Sequence, residues 1–305
     1  MYKVAVILCT YNSEKYILEQ LDSIFSQKNC TCMVYISDDG SSDNTLKLIH
    51  QYSKENTNYQ IDITNGPGKG FAKNFLWNLR RIDKDYDFYA FSDHDDVWNN
   101  KKISRAANFY KNYSNRQSFL YCSRTTLVDR DLNLVGKSIF FKHPPAFENA
   151  LVQSIAGGNT MVFNSELKKI LDRVDLDSHI VSHDWLTYIL ITFTEGNIVY
   201  DKKSYVKYRM HGKNIVGSNL GMVPFFKRAL MVFDGEWSKF FDSNLNHLKL
   251  FDGSSRNLKI LDDFMHIRNE KRLTHRLRAY KKSKIYRQTF IGNISLIIAI
   301  ILRKI

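Results

Sequence analysis

Three carboxylates fall within four positions in the stretch Ser92-Asp93-His94-Asp95-Asp96-Val97-Trp98. They follow Tyr86-Asp87-Phe88-Tyr89-Ala90-Phe91, an apolar run that reads as a buried strand. Negative charges this close repel one another unless something positive holds them. A hard divalent cation on oxygen ligands, manganese or magnesium, meets that need, and such a cation also grips substrate phosphates. The other reading is a polar turn that ends the strand and caps a helix from Asn99. Open α/β sheets bind ligands at the carboxyl ends of their strands, which is where this cluster falls.

The elements that must position it alternate in type. Lys3-Val4-Ala5-Val6-Ile7-Leu8-Cys9 reads as a buried parallel strand ending at Thr10-Tyr11-Asn12-Ser13. The run is short and lacks a cleavage site, which argues against a signal peptide. Ser13 is placed to cap a helix carrying Ile17, Leu18, Leu21, Ile24 and Phe25 on one face. A second strand, Met33 to Ser37, ends in Asp38-Asp39-Gly40-Ser41-Ser42-Asp43. A helix with Leu46, Ile49 and Tyr52 inward follows. A third strand near Gln60 to Ile63 precedes Gly66-Pro67-Gly68-Lys69-Gly70, and a helix from Phe71 leads to the acidic strand. This alternation implies right-handed crossovers and a mostly parallel, Rossmann-like α/β sheet flanked by helices.

Polar chemistry therefore gathers at one sheet edge. A nucleotide fits across it, with its base near Thr10, Tyr11, Asn12 and Asp39 and its diphosphate at the metal. Asp39 could accept from a pyrimidine ring nitrogen or a ribose hydroxyl; its alternative is to cap the next helix at Ser42. Lys73, one turn into its helix, could reach the base or a phosphate, or stand in solvent.

These residues resemble the family-2 glycosyltransferases of GT-A fold. The matching segments are Val6-Ile7-Leu8-Cys9-Thr10-Tyr11-Asn12, Asp38-Asp39-Gly40-Ser41-Ser42-Asp43-Asn44-Thr45 and Phe91-Ser92-Asp93-His94-Asp95-Asp96-Val97-Trp98, in that order. The Ser-Asp-x-Asp-Asp-x-Trp form is most similar to a bacterial rhamnosyltransferase-type branch. The resemblance implies an Asp-x-Asp metal pair in Asp93 and Asp95, with Asp95 the direct ligand and Asp96 an extra carboxylate. It implies donor contacts at Thr10, Tyr11, Asn12, Asp39, Lys73, Asp93 and His94. Ala156-Gly157-Gly158-Asn159-Thr160 would line the sugar through Gly158, or else form a tight turn into the strand Thr160 to Phe163. His183-Asp184-Trp185 stands where the family carries its general base, implying Asp184; the bare residues would equally make Asp184 the cap of a helix from Trp185 to Thr194. Tyr208-Arg209-Met210-His211-Gly212-Lys213-Asn214 is similar to a C-terminal histidine loop in which His211 closes on metal or diphosphate.

The implied reaction is inverting. Asp184 takes a proton from an acceptor hydroxyl as that oxygen attacks the anomeric carbon of a nucleotide-diphosphate sugar. Deoxythymidine-diphosphate rhamnose is the expected donor, with a uridine-diphosphate hexose second. The expected acceptor is a cell-surface polysaccharide or a lipid-linked glycan. A catalytically inactive nucleotide-sugar-binding relative is the non-enzyme alternative.

Composition sets further limits. The chain has 305 residues, 44% of them apolar, enough for one substantial core and an appendage. We divide it at 1–215, catalytic, with nucleotide-sugar binding in about 1–98 and acceptor binding in about 99–215, and 216–305, a basic helical extension. Cys9, Cys30, Cys32 and Cys122 make no zinc or redox spacing, which favours a reducing cytosol. Residues 1–200 carry 22 Lys and Arg against 23 Asp and Glu, whereas 201–305 carry 22 against 8. The net charge of +13 thus lies wholly in the last third. A nucleic-acid-binding protein would explain that excess but not carboxylates at three strand ends. A dinucleotide oxidoreductase would want its glycines after the first strand, and Gly66, Gly68 and Gly70 follow the third. A nucleotidyltransferase would want a basic glycine-rich loop where Thr10-Tyr11-Asn12-Ser13 stands.

The densest basic stretch, Arg268 to Arg287, keeps helical spacing and precedes the apolar run Phe290 to Leu302. That run is short for a membrane span, which needs about 20 apolar residues. It suits a helix lying on an anionic inner leaflet, peripheral to the cytoplasmic face of the cell membrane. The alternative is a helix packed on the catalytic part or on a second subunit of a homodimer.

Overall fold

Alternate residues of the first strand, β1 (Tyr2–Thr10), enter two different cores. The computed structural model describes residues 1–210 and 236–305. In chain order β1 is followed by α1 (Ile17–Phe25), β2 (Cys30–Asp38), α2 (Thr45–Glu55), β3 (Gln60–Asn65), α3 (Phe71–Arg80), β4 (Phe88–Ser92), β5 (Val97–Trp98), α4 (Lys102–Tyr110), β6 (Phe119–Val128) and β7 (Leu134–Lys137). Then come α5 (Phe147–Ala150), β8 (Val162–Phe163), α6 (Ser165–Leu171), α7 (His183–Phe193) and β9 (Asn197–Arg209). Beyond the undescribed segment lie α8 (Glu236–Leu248), α9 (Ser255–Asn269), α10 (Leu273–Ser283) and α11 (Phe290–Ile301).

Among the described residues nine strands form one sheet, in the order β3-β2-β1-β4-β8-β6-β9-β5, with β7 on β6. The first four strands are parallel, as the alternation of apolar runs and amphipathic helices requires. Val4, Val6 and Leu8 pack with Ile17, Leu21 and Ile24 of α1, Ile49 and Tyr52 of α2, and Ile103 of α4. Ala5, Ile7 and Cys9 face the other way, onto Phe75, Leu76 and Leu79 of α3 and the buried helix α7. Burial on both faces is why β1 reads as one continuous apolar run.

Four boundaries differ from the sequence reading. The first helix begins at Ile17, because the Ser13 carbonyl first accepts Tyr16 N and Ile17 N, each at 3.1 Å, to close a separate turn. Leu18 consequently lies at the exposed margin of its helix. The acidic turn does not run directly into a helix at Asn99. Val97 and Trp98 first pair antiparallel with β9, and α4 starts at Lys102. The helix expected from Trp185 to Thr194 spans His183–Phe193.

The C-terminal helices share the core of α3 and α7. Trp237 and Phe241 of α8, Phe264 and Ile267 of α9, and Leu296, Ala299 and Ile300 of α11 belong to one apolar cluster with Leu186 and Ile189. Asn257 Nδ2 donates to the Thr192 and Phe193 carbonyls at 3.0 Å each, closing the end of α7. The apolar tail is thus docked on the protein along one side. Among the described residues no helix is long and apolar enough to cross a membrane.

The nine basic residues from Arg268 to Arg287 are not uniformly displayed. Arg268 pairs with Asp242, Lys282 with Asp263 at 2.6 Å, and the buried Arg276 donates to the Ile301 carbonyl at 3.0 Å. The Arg287 guanidinium lies 4.7 Å from the centre of the Trp237 ring.

Candidate active site

The loops after β1 and β2 are laced together before any ligand arrives. Asp38, buried at the end of β2, accepts Thr10 Oγ1 at 2.7 Å, Ser41 N at 2.7 Å and Ser41 Oγ at 2.6 Å. Asn12 takes a left-handed backbone, φ 49°, which Asn tolerates better than most residues. Its Oδ1 accepts Ser42 N at 2.9 Å and its own N donates to Ser41 Oγ at 2.8 Å. Thr10 and Asn12 therefore shape the loop with their side chains, while the Tyr11 ring stands 59% exposed at its rim. Asp39 does not cap the next helix. Asp43 serves that end by accepting Thr45 N at 3.0 Å, and Asp39 instead accepts Gly68 N at 2.7 Å and Gly70 N at 3.1 Å. The glycines that follow β3 thus lie against the loop after β2. Lys73, nearby on α3, donates to the Asp177 carbonyl at 3.3 Å.

The acidic turn has two kinds of carboxylate. Asp96 is fully buried and acts as a tether: it accepts Asn159 Nδ2 on one oxygen and Arg209 N at 3.3 Å on the other. Burial, then Asp95 and Asp93, push its carboxyl well above the usual range. Beneath it Lys102, also fully buried, donates to the Asn159 carbonyl at 2.6 Å and lies 3.3 Å from the centre of the Trp98 ring. Burial depresses the Lys102 ammonium, and Asp96 and Asp93 oppose that shift. Asp93 and His94 are both half-buried. Burial, Asp95 and Asp184 together push Asp93 up to about 7. Asp184, in the first turn of α7, is therefore an electrostatic neighbour of the acidic turn.

Asp184 is not the helix cap. Ser182 holds that position and accepts Trp185 N at 3.3 Å, while Asp184 Oδ1 accepts Ser182 Oγ and, at 2.7 Å, Trp185 N. These contacts fix the carboxylate's orientation. Gly158 opens a 3-10 turn, Gly158–Thr160, ahead of β8. His183 lies beneath it, stacked on Phe75 with ring centroids 4.0 Å apart and edge-on to Phe91 at 4.8 Å. Neither His183 ring nitrogen has a hydrogen-bond partner among the described residues, and burial lowers its pKa to about 4. His211 lies outside the described residues.

A divalent cation fits these residues. Asp95 and Asp184 stand near enough to Asp93 that their charges add to burial in raising its carboxyl, and a cation would relieve that part of the shift. Among the described residues no three His, Cys, Asp or Glu surround one metal position. Asp93 and Asp95 would supply part of a coordination shell, the arrangement expected of a cation that shares its ligands with substrate phosphates and water.

Sequence reasoning missed Lys102, Asn159, Arg209 and Ser182. Arg209, the last residue of β9 and 2% exposed, binds the Asp95 carbonyl through Nε at 3.0 Å and also grips Arg130 O and Glu19. It lies 113 residues from Asp96, and local patterning carries no trace of such a contact.

Comparison with known proteins agrees with this geometry. The chain is 31% identical over 241 residues to the dTDP-rhamnosyl transferase RfbG of Shigella flexneri, covering 74% of this chain and 78% of that one. It is 37% identical over 112 residues, 36% of this chain and 19% of the relative, to the poly(ribitol-phosphate) beta-N-acetylglucosaminyltransferase TarS of Staphylococcus aureus. The S. aureus TarS 1–349 structure in complex with UDP-GlcNAc superposes with a TM-score of 0.57 at 19% identity, over 92% of this chain and 80% of that one. A mannosyltransferase from Pyrobaculum calidifontis in complex with GDP-Man and Mn2+ gives 0.53 at 14% identity, over 99% and 86%. The Glycosyl transferase family 2 profile matches residues 5–171, more than half of the chain and the span holding both laced loops and the acidic turn. With the profile, the relatives and the fold in agreement, the chain belongs to glycosyl transferase family 2, a glycosyltransferase of GT-A fold.

Proposed function

We propose that the chain transfers rhamnose, with inversion, from deoxythymidine-diphosphate rhamnose to a hydroxyl of a cell-surface polysaccharide or lipid-linked glycan. The observation that carries the sugar assignment is the 31% identity, over most of the chain, to a dTDP-rhamnosyl transferase. In this reading residues 1–215 are catalytic and 216–305 are a helical extension. Thr10, Tyr11, Asn12, Asp39 and Lys73 hold the nucleoside. Asp93, His94, Gly158 and His211 face the diphosphate and sugar. Asp93, Asp95 and His211 hold a divalent cation, which when bound would neutralise the leaving diphosphate.

Asp184 is the general base. It is oriented by Ser182 and the Trp185 amide and stands beside the acidic turn. It accepts the acceptor's proton as the hydroxyl oxygen forms its bond to the anomeric carbon and the diphosphate departs with the bonding pair. One displacement inverts the configuration and needs no second carboxylate nucleophile. The setting is the cytoplasmic face of the membrane, where lipid-linked acceptors are built.

Thermal unfolding with each nucleotide-sugar, with and without manganese, tests the donor, because a ligand of the folded state raises the midpoint. Deoxythymidine-diphosphate rhamnose should give the largest shift. Incubating the labelled sugar nucleotide with membranes should then yield labelled glycolipid. A larger shift with a uridine-diphosphate hexose would reassign the sugar, and donor binding without any transfer would favour an inactive sugar-nucleotide-binding relative.

A further inference from the structure

Helix α11 carries no charged side chain, and among the described residues the protein buries only one of its sides. Leu296, Ala299 and Ile300 are buried in the shared core. On the opposite side Phe290, Ile294 and Ile298 are 81%, 43% and 42% exposed, flanked by Ile291 and Ile301. No charged side chain occurs between Phe290 and Leu302. The two polar side chains in the helix satisfy themselves. Asn293 exchanges hydrogen bonds with the Arg287 backbone at 2.7 Å each, and Ser295 Oγ donates to the Ile291 carbonyl at 3.0 Å. Nothing on the outer side asks for water. A helix apolar all round belongs in a protein core or in lipid.

The charge around the stripe selects between occupants. Lys284 lies six residues before the helix and Arg303 follows it, both exposed and both at left-handed backbone positions, and exposed Arg278 and Lys281 on α10 precede Lys284. Long basic side chains at the ends of an apolar stripe can lie along it and raise their charges to headgroup level. Pairing this face with a second copy would instead set the basic C-terminal third of one chain against that of the other, like against like.

We propose that the outer face of α11 seats on an anionic bilayer surface, its apolar stripe at the acyl boundary and Lys284 and Arg303 at the headgroups. This deepens the membrane-side setting proposed above, and it depends on neither the donor nor the base. The test uses the full chain, floated with vesicles of phosphatidylcholine alone or of an equal mixture with phosphatidylglycerol. The protein should float with the mixture only and be released by salt. Each basic side chain near such a surface contributes about five-fold, so Lys284→Asn with Arg303→Asn should weaken binding by roughly 25-fold; Asn suits both backbones. Ile294→Ser with Ile298→Ser should weaken it by on the order of ten-fold or more. The unfolding midpoint of each variant is read in parallel, and transfer to a water-soluble acceptor should persist in both. Equal flotation with neutral vesicles, or none with either, overturns the proposal. So does a dimer in sedimentation that the serine pair splits while flotation is unchanged, which would give this face to a second copy.

Discussion

The His183 imidazole occupies the space that a side chain at Gly158 would need: a Cβ built on Gly158 comes within 2.2 Å of His183 Nε2. The ring has little room to retreat, being stacked on Phe75 and edge-on to Phe91. Gly158→Ala should therefore destabilise the protein by about 1–3 kcal/mol, as overpacked cores do. Urea unfolding of Gly158→Ala, His183→Ala and the double variant reads the contact directly. Strict additivity of the two changes would mean that the contact carries no energy.

His183 also sets an acid limit. Burial lowers its pKa from 6.5 to about 4. The unfolded chain then binds the extra proton first, so stability is full above about pH 6.5 and falls as pH drops toward 4. The shift corresponds to about 3 kcal/mol. His183→Met should flatten that acid limb of the unfolding curve while leaving the neutral plateau for separate comparison. A limb of unchanged steepness would place the titrating group elsewhere.

The proposed base is separable from donor binding. Asp184→Asn keeps the acceptors for Ser182 Oγ and Trp185 N but loses basicity. Turnover should drop by about 100-fold or more, with the calorimetric affinity for donor close to that of the parent. Asp95→Asn should do the opposite, weakening metal-dependent donor binding first. If the two variants behave alike, the division of labour between the helix and the acidic turn is wrong.

Lys102 and Asp96 are both buried and are joined through Asn159, which accepts from the lysine and donates to the carboxyl. Lys102→Met removes the donor to the buried Asn159 carbonyl and the positive neighbour of Asp96, and should cost about 1–3 kcal/mol. Adding Asp96→Asn should recover part of that loss. A harmless Lys102→Met would show that the lysine is already neutral in the folded protein, the direction in which burial pushes it.

The tail cannot be trimmed without consequence. Gln288 Nε2 donates to the His143 carbonyl at 3.1 Å, its backbone N donates to Gln153 Oε1 at 2.8 Å, and Leu296, Ala299 and Ile300 fill the core. Deleting residues 288–305 should lower the thermal midpoint as well as abolish vesicle binding. An unshifted midpoint after the deletion would mean that α11 rests on the surface without supporting it.

What the sequence disclosed and what it hid follow from contact range. Strands β1, β2 and β4 were legible because burial on both faces writes itself as an unbroken apolar run, and the polar residues after each run could only fall at the strand's carboxyl end. The acidic turn was legible for the same reason. The two roles within it were not: Asp96 is a tether because Asn159 and Arg209 arrive from 63 and 113 residues away. Strand β5 escaped notice since two residues are too few for a period, and only the pairing of Val97 and Trp98 with Lys207 and Val206 defines it. Ser182 was overlooked as a cap because Asp184, two residues on, is an equally good capping type.

Cys9 ends the apolar part of β1, one residue before Thr10, and is a free thiol only 7% exposed. Burial, then the nearby Asp93 and Asp39, push it well above the usual thiol range. Cys32 and Cys122 are buried as well, while Cys30 is half-exposed and held lower by its contact with Cys32. An alkylating reagent should thus mark Cys30 in the native protein and reach Cys9 only when α3 lifts from the sheet. The labelling rate of that single sulfur is a clock for the parting of α3 from β1, the layer that backs the carboxyl ends of the parallel strands.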